Sequence, residues 1–308
     1  MLSFLPVFIL LPLNILLQLI NLLLWTTLII MLGLLKLVLP VPVLQRSIRF
    51  LLDGCLNNFG RCSVGCINLT NKVQWDVQID GDLSPNGWYL LLSNHISWVD
   101  IFLITHFAAS RIPASKYFVK QELLWVPFIG MGCWALDMPF MKRYSRSFIN
   151  KHPHLKGKDI DSTRKACEKF KKIPTTIVNF VEGSRLTPEK HTKRDSPYQY
   201  LLPPRAGGIA FTLASMGEQF SNVIDFTIVF PLNQHNVMYA MLCGRLHKIV
   251  LRAQILPVED SLTGDYFNDE SYKAQFQQWL NNRWQQKDQL IQSIINNHQE
   301  VTWNSRTK

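Results

Sequence analysis

The first charged side chain in the sequence is Lys36. From Leu13 to Leu39 the chain is dominated by Leu and Ile, with Trp25 among them, and that stretch covers 27 residues. At ~1.5 Å per residue a helix of this length reaches roughly 40 Å, enough to cross a hydrocarbon core of about 30 Å with some tilt. The sequence therefore predicts a membrane helix, and whatever follows has to fold beside it. A secretory signal fits poorly: there is no basic start, the apolar run is too long, and no small-residue cleavage site precedes Lys36. Lys36, Arg46, Arg49 and Arg61 all follow the run, so the positive-inside rule predicts the amino terminus outside and the bulk of the chain in the cytoplasm. Pro6 and Pro12 near the start of the run, with Asn14, Gln18 and Asn21 close to helical spacing, keep a re-entrant or shallow helix pair open.

After Pro40 and Pro42, Val43 to Leu69 again reads as a helix. Leu44, Ile48, Leu51, Leu52, Cys55 and Phe59 fall on one side, with Arg46, Arg49 and Asp53 elsewhere, the pattern of an amphipathic helix lying on a membrane surface. Residues 1–70 are accordingly read as an anchoring region and residues 71–308 as a second domain. Cys55, Cys62 and Cys66 follow the apolar period without a second ligand pair at zinc-type spacing, and Cys133, Cys167 and Cys243 are scattered. Neither a metal centre nor a disulfide framework is expected from them.

From about Val73 the texture changes. Val73 to Ile79 alternates apolar and polar residues; Trp88 to Leu92, Thr176 to Val181, Val223 to Phe230 and Ile249 to Ile255 are short apolar runs bounded by turn residues. Helical patterns lie between them at Asp100 to Ala109, Asp161 to Lys172 and Gly208 to Met216, and a polar helix from about Asp269 to Asn297 closes the chain. Arg143 to Lys158 and Pro188 to Tyr200 are polar and read as loops. This alternation predicts an α/β fold, a mixed sheet flanked by helices. The 32 Lys and Arg outnumber the 22 Asp and Glu, a net charge of +10 that calls for an anionic partner: nucleic acid, anionic lipid or a phosphorylated substrate. Eleven of the basic residues fall between Lys142 and Lys172, against three acids.

Three short stretches carry chemistry. Ser93 to Asp100 reads SNHISWVD at the end of an apolar strand. On one ideal helix His95 and Asp100 would stand about 140° apart, so they meet only if His95 lies in a loop and Asp100 in the first turn beyond it. A carboxylate bonded to one imidazole nitrogen fixes the tautomer and leaves the other nitrogen as a base, although a lone His near an Asp is more often structural. Phe180 to Thr187 reads FVEGSRLT after another strand: Gly183 permits a sharp turn, and Ser184 and Arg185 offer a hydroxyl and a guanidinium to a phosphate, although an isolated EGSR is more often an ordinary turn. Met138 to Arg146, MPFMKRYSR, opens the basic tract, and Arg205 in PPRAGG is a weaker phosphate contact or simply a helix entry.

In chain order, SNHISWVD, then MPFMKRYSR, then FVEGSR, the three stretches resemble the PlsC-type glycerolipid acyltransferases, which include the 1-acylglycerol-3-phosphate and lysophospholipid acyltransferases. The resemblance runs over about Trp75 to Phe230 and is nearest to the subgroup of YihG-like and lysocardiolipin acyltransferases. It implies His95 as general base and Asp100 as its orienting group. It also implies Asn94, Ser97, Arg143, Glu182, Gly183, Ser184 and Arg185 as substrate-binding residues, Arg143 and the EGSR block toward the acceptor's phosphate. Two positions depart from the family: Lys142 replaces the usual acid before the second-block arginine, and VIDFTIVFP from Val223 to Pro231 keeps only the last proline of the fourth block.

The implied reaction moves an acyl chain from acyl-CoA or acyl carrier protein to a hydroxyl of a lysophospholipid such as 1-acylglycerol-3-phosphate. It needs neither metal nor cofactor, and the expected partners are the phospholipid bilayer, the acceptor and the donor rather than nucleic acid. The expected place is a bacterial inner membrane, with the catalytic domain in the cytoplasm. A membrane-bound basic scaffold or lipid-binding protein without catalysis explains the charge but leaves His95, Asp100 and Glu182 unused. A serine hydrolase using Ser97 or Ser184 is disfavoured because neither lies in GxSxG.

Overall fold

The computed structural model describes residues 2–141, 170–171, 173–234, 236–259, 262–266 and 268–306, with side chains to residue 298. Two long helices come first, α1 (Val7–Val38) and α2 (Pro42–Thr70), folded back on each other through a three-residue connection. Of the described helices, α1 is long and apolar enough to cross a membrane. Its polar residues explain how it meets the protein. Asn14 donates to the Leu242 carbonyl at 2.9 Å and accepts from the Thr70 hydroxyl at 2.7 Å. Gln18 donates to the Ser63 carbonyl, and Asn21 to the Ser63 hydroxyl and the Phe59 carbonyl. The stripe of Leu10, Asn14, Asn21, Thr26, Ile29 and Gly33 is buried, while Phe8, Leu16, Ile20, Leu24 and Met31 stand exposed on the other sides.

The same stripe runs lengthwise along the body. Leu10 packs on Gly244 near one end; near the other, Gly33 lies so close to Ala135 that a Cβ there would sit 2.4 Å from the alanine's, and Lys36 pairs with Asp137. The amphipathic helix expected over Val43 to Leu69 is α2. The apolar face of α2 is used inside the protein, with Ile48, Leu52 and Leu56 in a small core that also holds Ile29 and Ala135, and Val64 and Ile67 in the core beneath the sheet. Val43, Leu44, Phe50 and Leu51 remain exposed. Periodicity identifies a helix's apolar face but not what covers it.

The sheet is built from β1 (Gln74–Asp80), β2 (Tyr89–Ser93), β3 (Ser115–Tyr117), β6 (Thr176–Phe180), β7 (Asn222–Val229) and β8 (Lys248–Pro257). Their order is β1-β8-β7-β2-β6-β3, and neighbours are parallel except for the antiparallel β7/β8 pair, so the sheet is mixed as expected. Central β2 is buried at every position, as its unbroken apolar run requires, whereas edge strand β1 is half-exposed or exposed along its length. A separate two-stranded piece pairs β4 (Val119–Lys120) with β5 (Phe140–Met141). Alternation along β2 divides the core. Tyr89 and Leu91 face α3 (Val99–Ala108) and α2; Leu90 and Leu92 face α6 (Ala206–Met216) and the closing helix α8 (Glu270–Arg306).

Smaller helices are α4 (Ile129–Ala135), packed on α1, α5 (Pro188–Lys193) and α7 (Val237–Leu242). The tract 188–200, expected as a loop, contains α5, with Pro188 in its first turn and the Thr187 hydroxyl accepting from the Lys190 amide. Helix α8 is less uniformly polar in effect than its composition suggests: Phe276, Leu280, Trp284, Ile291, Ile294 and Ile295 form a buried stripe. The loop expected over 143–158 lies outside the described residues, as does nearly all of the helix expected over 161–172.

Candidate active site

The site lies where β2 and β6 run out, side by side and parallel, at the carboxyl edge of the sheet, the usual place for ligands in open α/β sheets. After Ser93 the chain turns through His95 and enters α3 at Val99, which puts Asp100 in the first helical turn. His95 Nδ1 is 2.9 Å from Asp100 Oδ2, and the same oxygen accepts from the Ile96 and Ser97 amides at 2.6 and 2.8 Å. A carboxylate only accepts, so Nδ1 carries the hydrogen and Nε2 is left with its lone pair. Asp100 is wholly buried, and the imidazole stacks on the Phe180 ring with centroids 3.9 Å apart. His95 and Asp100 are thus held by backbone hydrogen bonds and by ring packing.

Asn94, Ser97 and Glu182 were expected toward substrate, and the structure gives all three internal partners. The Asn94 amide donates to the Ile228 carbonyl and accepts from the Ile228 amide, both at 2.9 Å, with no surface exposed. The Ser97 hydroxyl accepts from the Val99 amide, closing the first turn of α3. Glu182 is 1% exposed; its Oε1 accepts from the His95 amide at 3.2 Å and its Oε2 from the Leu202 amide at 3.1 Å. Burial pushes its pKa up to about 8. Its carboxyl group therefore supports the His95 turn from behind.

The rest of the EGSR block faces outward. Gly183 adopts φ +67°, a left-handed conformation that favours glycine, and the Arg205 side chain lies over it. The Ser184 hydroxyl accepts from Arg194, whose other terminal nitrogen donates to the Glu182 carbonyl. Burial and the neighbouring Arg205 charge hold the Arg194 pKa below its usual value. The Arg185 guanidinium lies 4.7 Å from the centre of the Trp98 ring, and among the described residues no carboxylate pairs with Arg185, Arg194 or Arg205. The Leu186 amide donates to the His95 carbonyl, which ties the two loops together. Arg143 lies outside the described residues.

Sequence reasoning missed Phe180, Trp98 and Arg194, which border the site. Phe180 is the last strand residue before VEGSR and Trp98 stands inside SNHISWVD, so both were visible as neighbours but without a role. Arg194 sits in the tract read as a plain loop, and no spacing marks it.

Residues 74–231, just over half of the sequence, match the family model described as Acyltransferase. The chain belongs to the acyltransferase family. Within that family it is 26% identical over 187 residues to 1-acyl-sn-glycerol-3-phosphate acyltransferase gamma of Mus musculus, covering 58% of this chain and 45% of the relative. The Homo sapiens gamma form is 27% identical over 193 residues, with 59% and 46% covered. The Homo sapiens delta form is 26% identical over 184 residues, with 56% and 44% covered. The chain spans about half the length of these relatives. The crystal structure of PlsC from Thermotoga maritima, titled a 1-acyl-sn-glycerophosphate acyltransferase, superposes with a TM-score of 0.51 at 17% identity. That match covers 89% of this chain and 95% of PlsC, and it shows the same fold.

Proposed function

We propose that this protein transfers a fatty acyl chain from a thioester donor, acyl-CoA or acyl carrier protein, to a hydroxyl of a lysophospholipid such as 1-acylglycerol-3-phosphate. The observation that carries the reading is the His95–Asp100 pair, in which Asp100 takes the Nδ1 hydrogen and Nε2 is free to act as a base. His95 takes the acceptor's hydroxyl proton as its oxygen attacks the thioester carbonyl. The tetrahedral intermediate collapses with loss of the C–S bond, and the imidazolium returns the proton to the departing thiolate. A base so positioned contributes ~10² to 10⁴-fold to a rate. Arg185, free of any described carboxylate and presented on Trp98, is suited to the acceptor's phosphate, and Arg143 is proposed to act with it.

Residues 1–70 serve as the anchor and residues 71–308 as the catalytic part, with the catalytic part cytoplasmic at a bacterial inner membrane. The exposed apolar sides of α1 support a lipid contact, and its packing along the length of the body favours the shallow arrangement over a helix that leaves the domain behind. The test is acyl transfer by isolated membranes, using labelled acyl-CoA or acyl carrier protein and a panel of lysophospholipids. Transfer by wild type and none by His95→Ala supports the reading. Transfer that survives His95→Ala at more than a tenth of the wild-type rate defeats it.

A further inference from the structure

Helix α8 lies wholly beyond residue 231, where the family match ends, yet it connects to the His95 turn through hydrogen bonds. The Trp284 indole N–H donates to the Leu202 carbonyl at 3.0 Å. The amide of the same Leu202 donates to Glu182 Oε2 at 3.1 Å, and Glu182 Oε1 accepts from the His95 amide at 3.2 Å. Trp284, Leu202 and Glu182 are each no more than 1% exposed, so water does not substitute for any member of the series. One turn further along α8, Asp288 accepts from the Gln199 and Tyr200 amides at 2.9 and 2.8 Å and holds the same segment. Between them Lys287, also buried, donates to the Phe226 carbonyl on β7 and pairs with Asp225 at 2.5 Å. The helix is therefore bonded both to the sheet and to the segment that supports Glu182.

An apolar stripe alone would be filled as well by Phe as by Trp at position 284. A buried indole N–H must find an acceptor, and the one it finds is the carbonyl of the residue whose own amide supports Glu182. We propose that Trp284 is a positioning residue for His95, acting through the backbone of Leu202, whose carbonyl and amide flank one Cα, and through Glu182, so that α8 forms part of the catalytic support. The inference rests on the reading of His95 as the base, but its structural content can be measured separately.

The experiment uses the full-length protein in mixed micelles. Trp284→Phe keeps the ring and removes the N–H. It is expected to lower kcat about three- to tenfold, the worth of one buried hydrogen bond, with donor and acceptor KM within twofold of wild type. Hydrogen exchange in the peptide that carries residues 93–97 is expected to accelerate by a similar factor. Asp288→Ala, whose side chain is only half-buried, is expected to give a smaller acceleration in the same peptide and serves if the core variant folds poorly. Leu280→Ala, a buried packing position one turn earlier, is expected to lower Tm more than Trp284→Phe while leaving exchange at 93–97 nearer to wild type. In a Glu182→Gln background the Trp284→Phe change is expected to cost no further kcat. Unchanged exchange at 93–97 in both Trp284→Phe and Asp288→Ala, or losses of kcat that multiply in the double variant, overturns the proposal. Absence of acyl transfer by wild type would defeat the functional reading, and the exchange measurements would still decide the relay.

Discussion

Asn94 and Ile228 are joined by two hydrogen bonds, the side-chain amide of one serving both backbone groups of the other. Asn94 thereby extends the β2/β7 pairing one residue past Ser93, the last strand position of β2. The next residue is His95, so the end of the sheet and the start of the His95 turn are one continuous hydrogen-bonded structure.

Asn94→Ala should act as a structural lesion with a catalytic consequence. It leaves a buried amide and a buried carbonyl of Ile228 without their partner, at a cost of about 1 to 3 kcal/mol for each unsatisfied group. Thermal melts should show the loss, and steady-state kinetics should show kcat falling while acceptor KM stays near wild type. A raised acceptor KM at unchanged Tm would instead make Asn94 a substrate contact.

Asp100→Asn should be nearly as damaging as His95→Ala. His95 Nδ1 and the Ile96 and Ser97 amides all point at one Asp100 oxygen, and a neutral amide there either accepts from them more weakly or turns its nitrogen toward Nδ1 and presents the base in the wrong tautomer. Single-turnover transfer should fall by at least about 100-fold. Liposome flotation should show both variants still bound to lipid, because α1 and α2 lie outside the change.

Arg185→Ala should raise acceptor KM or lower acceptor kcat/KM by roughly 10- to 150-fold, the range for one charge-assisted contact of about 1.5 to 3 kcal/mol. Arg185→Lys should recover only part of it, because an ammonium keeps the charge but loses the planar fork. Trp98→Leu should lower the same parameter by a smaller factor, since the ring presents the guanidinium. Lys171→Ala, in the basic tract but outside the three motifs, should change acceptor use little. Equal losses for Arg185→Ala and Lys171→Ala, with donor and acceptor varied separately, would mean an undifferentiated basic field.

Glu182 should impose a pH dependence on stability. Burial raises its pKa from 4.5 to about 8, so the folded protein holds this proton more tightly than the unfolded chain. The stabilisation from that preference is complete below pH 4.5, declines as pH rises through the interval, and is lost above about pH 8. Glu182→Gln has no such titration. The Tm of wild type relative to Glu182→Gln should therefore fall as pH is raised from about 5 to 8. A difference that stays flat or rises over that interval would contradict the assignment.

What was legible in the sequence follows how local each interaction is. His95 and Asp100 are five residues apart between a strand and a helix, so their meeting could be argued from backbone geometry alone. The strands were legible because β2, β6 and β7 are buried runs with turn residues at their ends. Glu182 was grouped with Gly183, Ser184 and Arg185, which face outward, and only the chain path shows its carboxyl turning in toward His95 and Leu202. Trp284 was not legible at all, since its contact with Leu202 spans 82 residues and an aromatic on a helix stripe looks like ordinary core. The helix pair showed the same limit: the spacing of Asn14, Gln18 and Asn21 raised a helix pair, but not that Thr70, Ser63 and Leu242 would answer them.

The seating of α1 along the body has a mechanical consequence under the proposed reading. Leu39 to Val41 is all that separates α1 from α2, and Asn71 to Val73 all that separates α2 from β1. Neither stretch is a leash. An enzyme tethered by a flexible arm samples many tilts and many heights above a lipid surface; here the tilt and height of His95 are fixed by the same side-chain contacts that fold the protein. Its acceptor must then arrive in one orientation, delivered by sideways diffusion within the leaflet, and the docking angle is built into the architecture in place of being searched for.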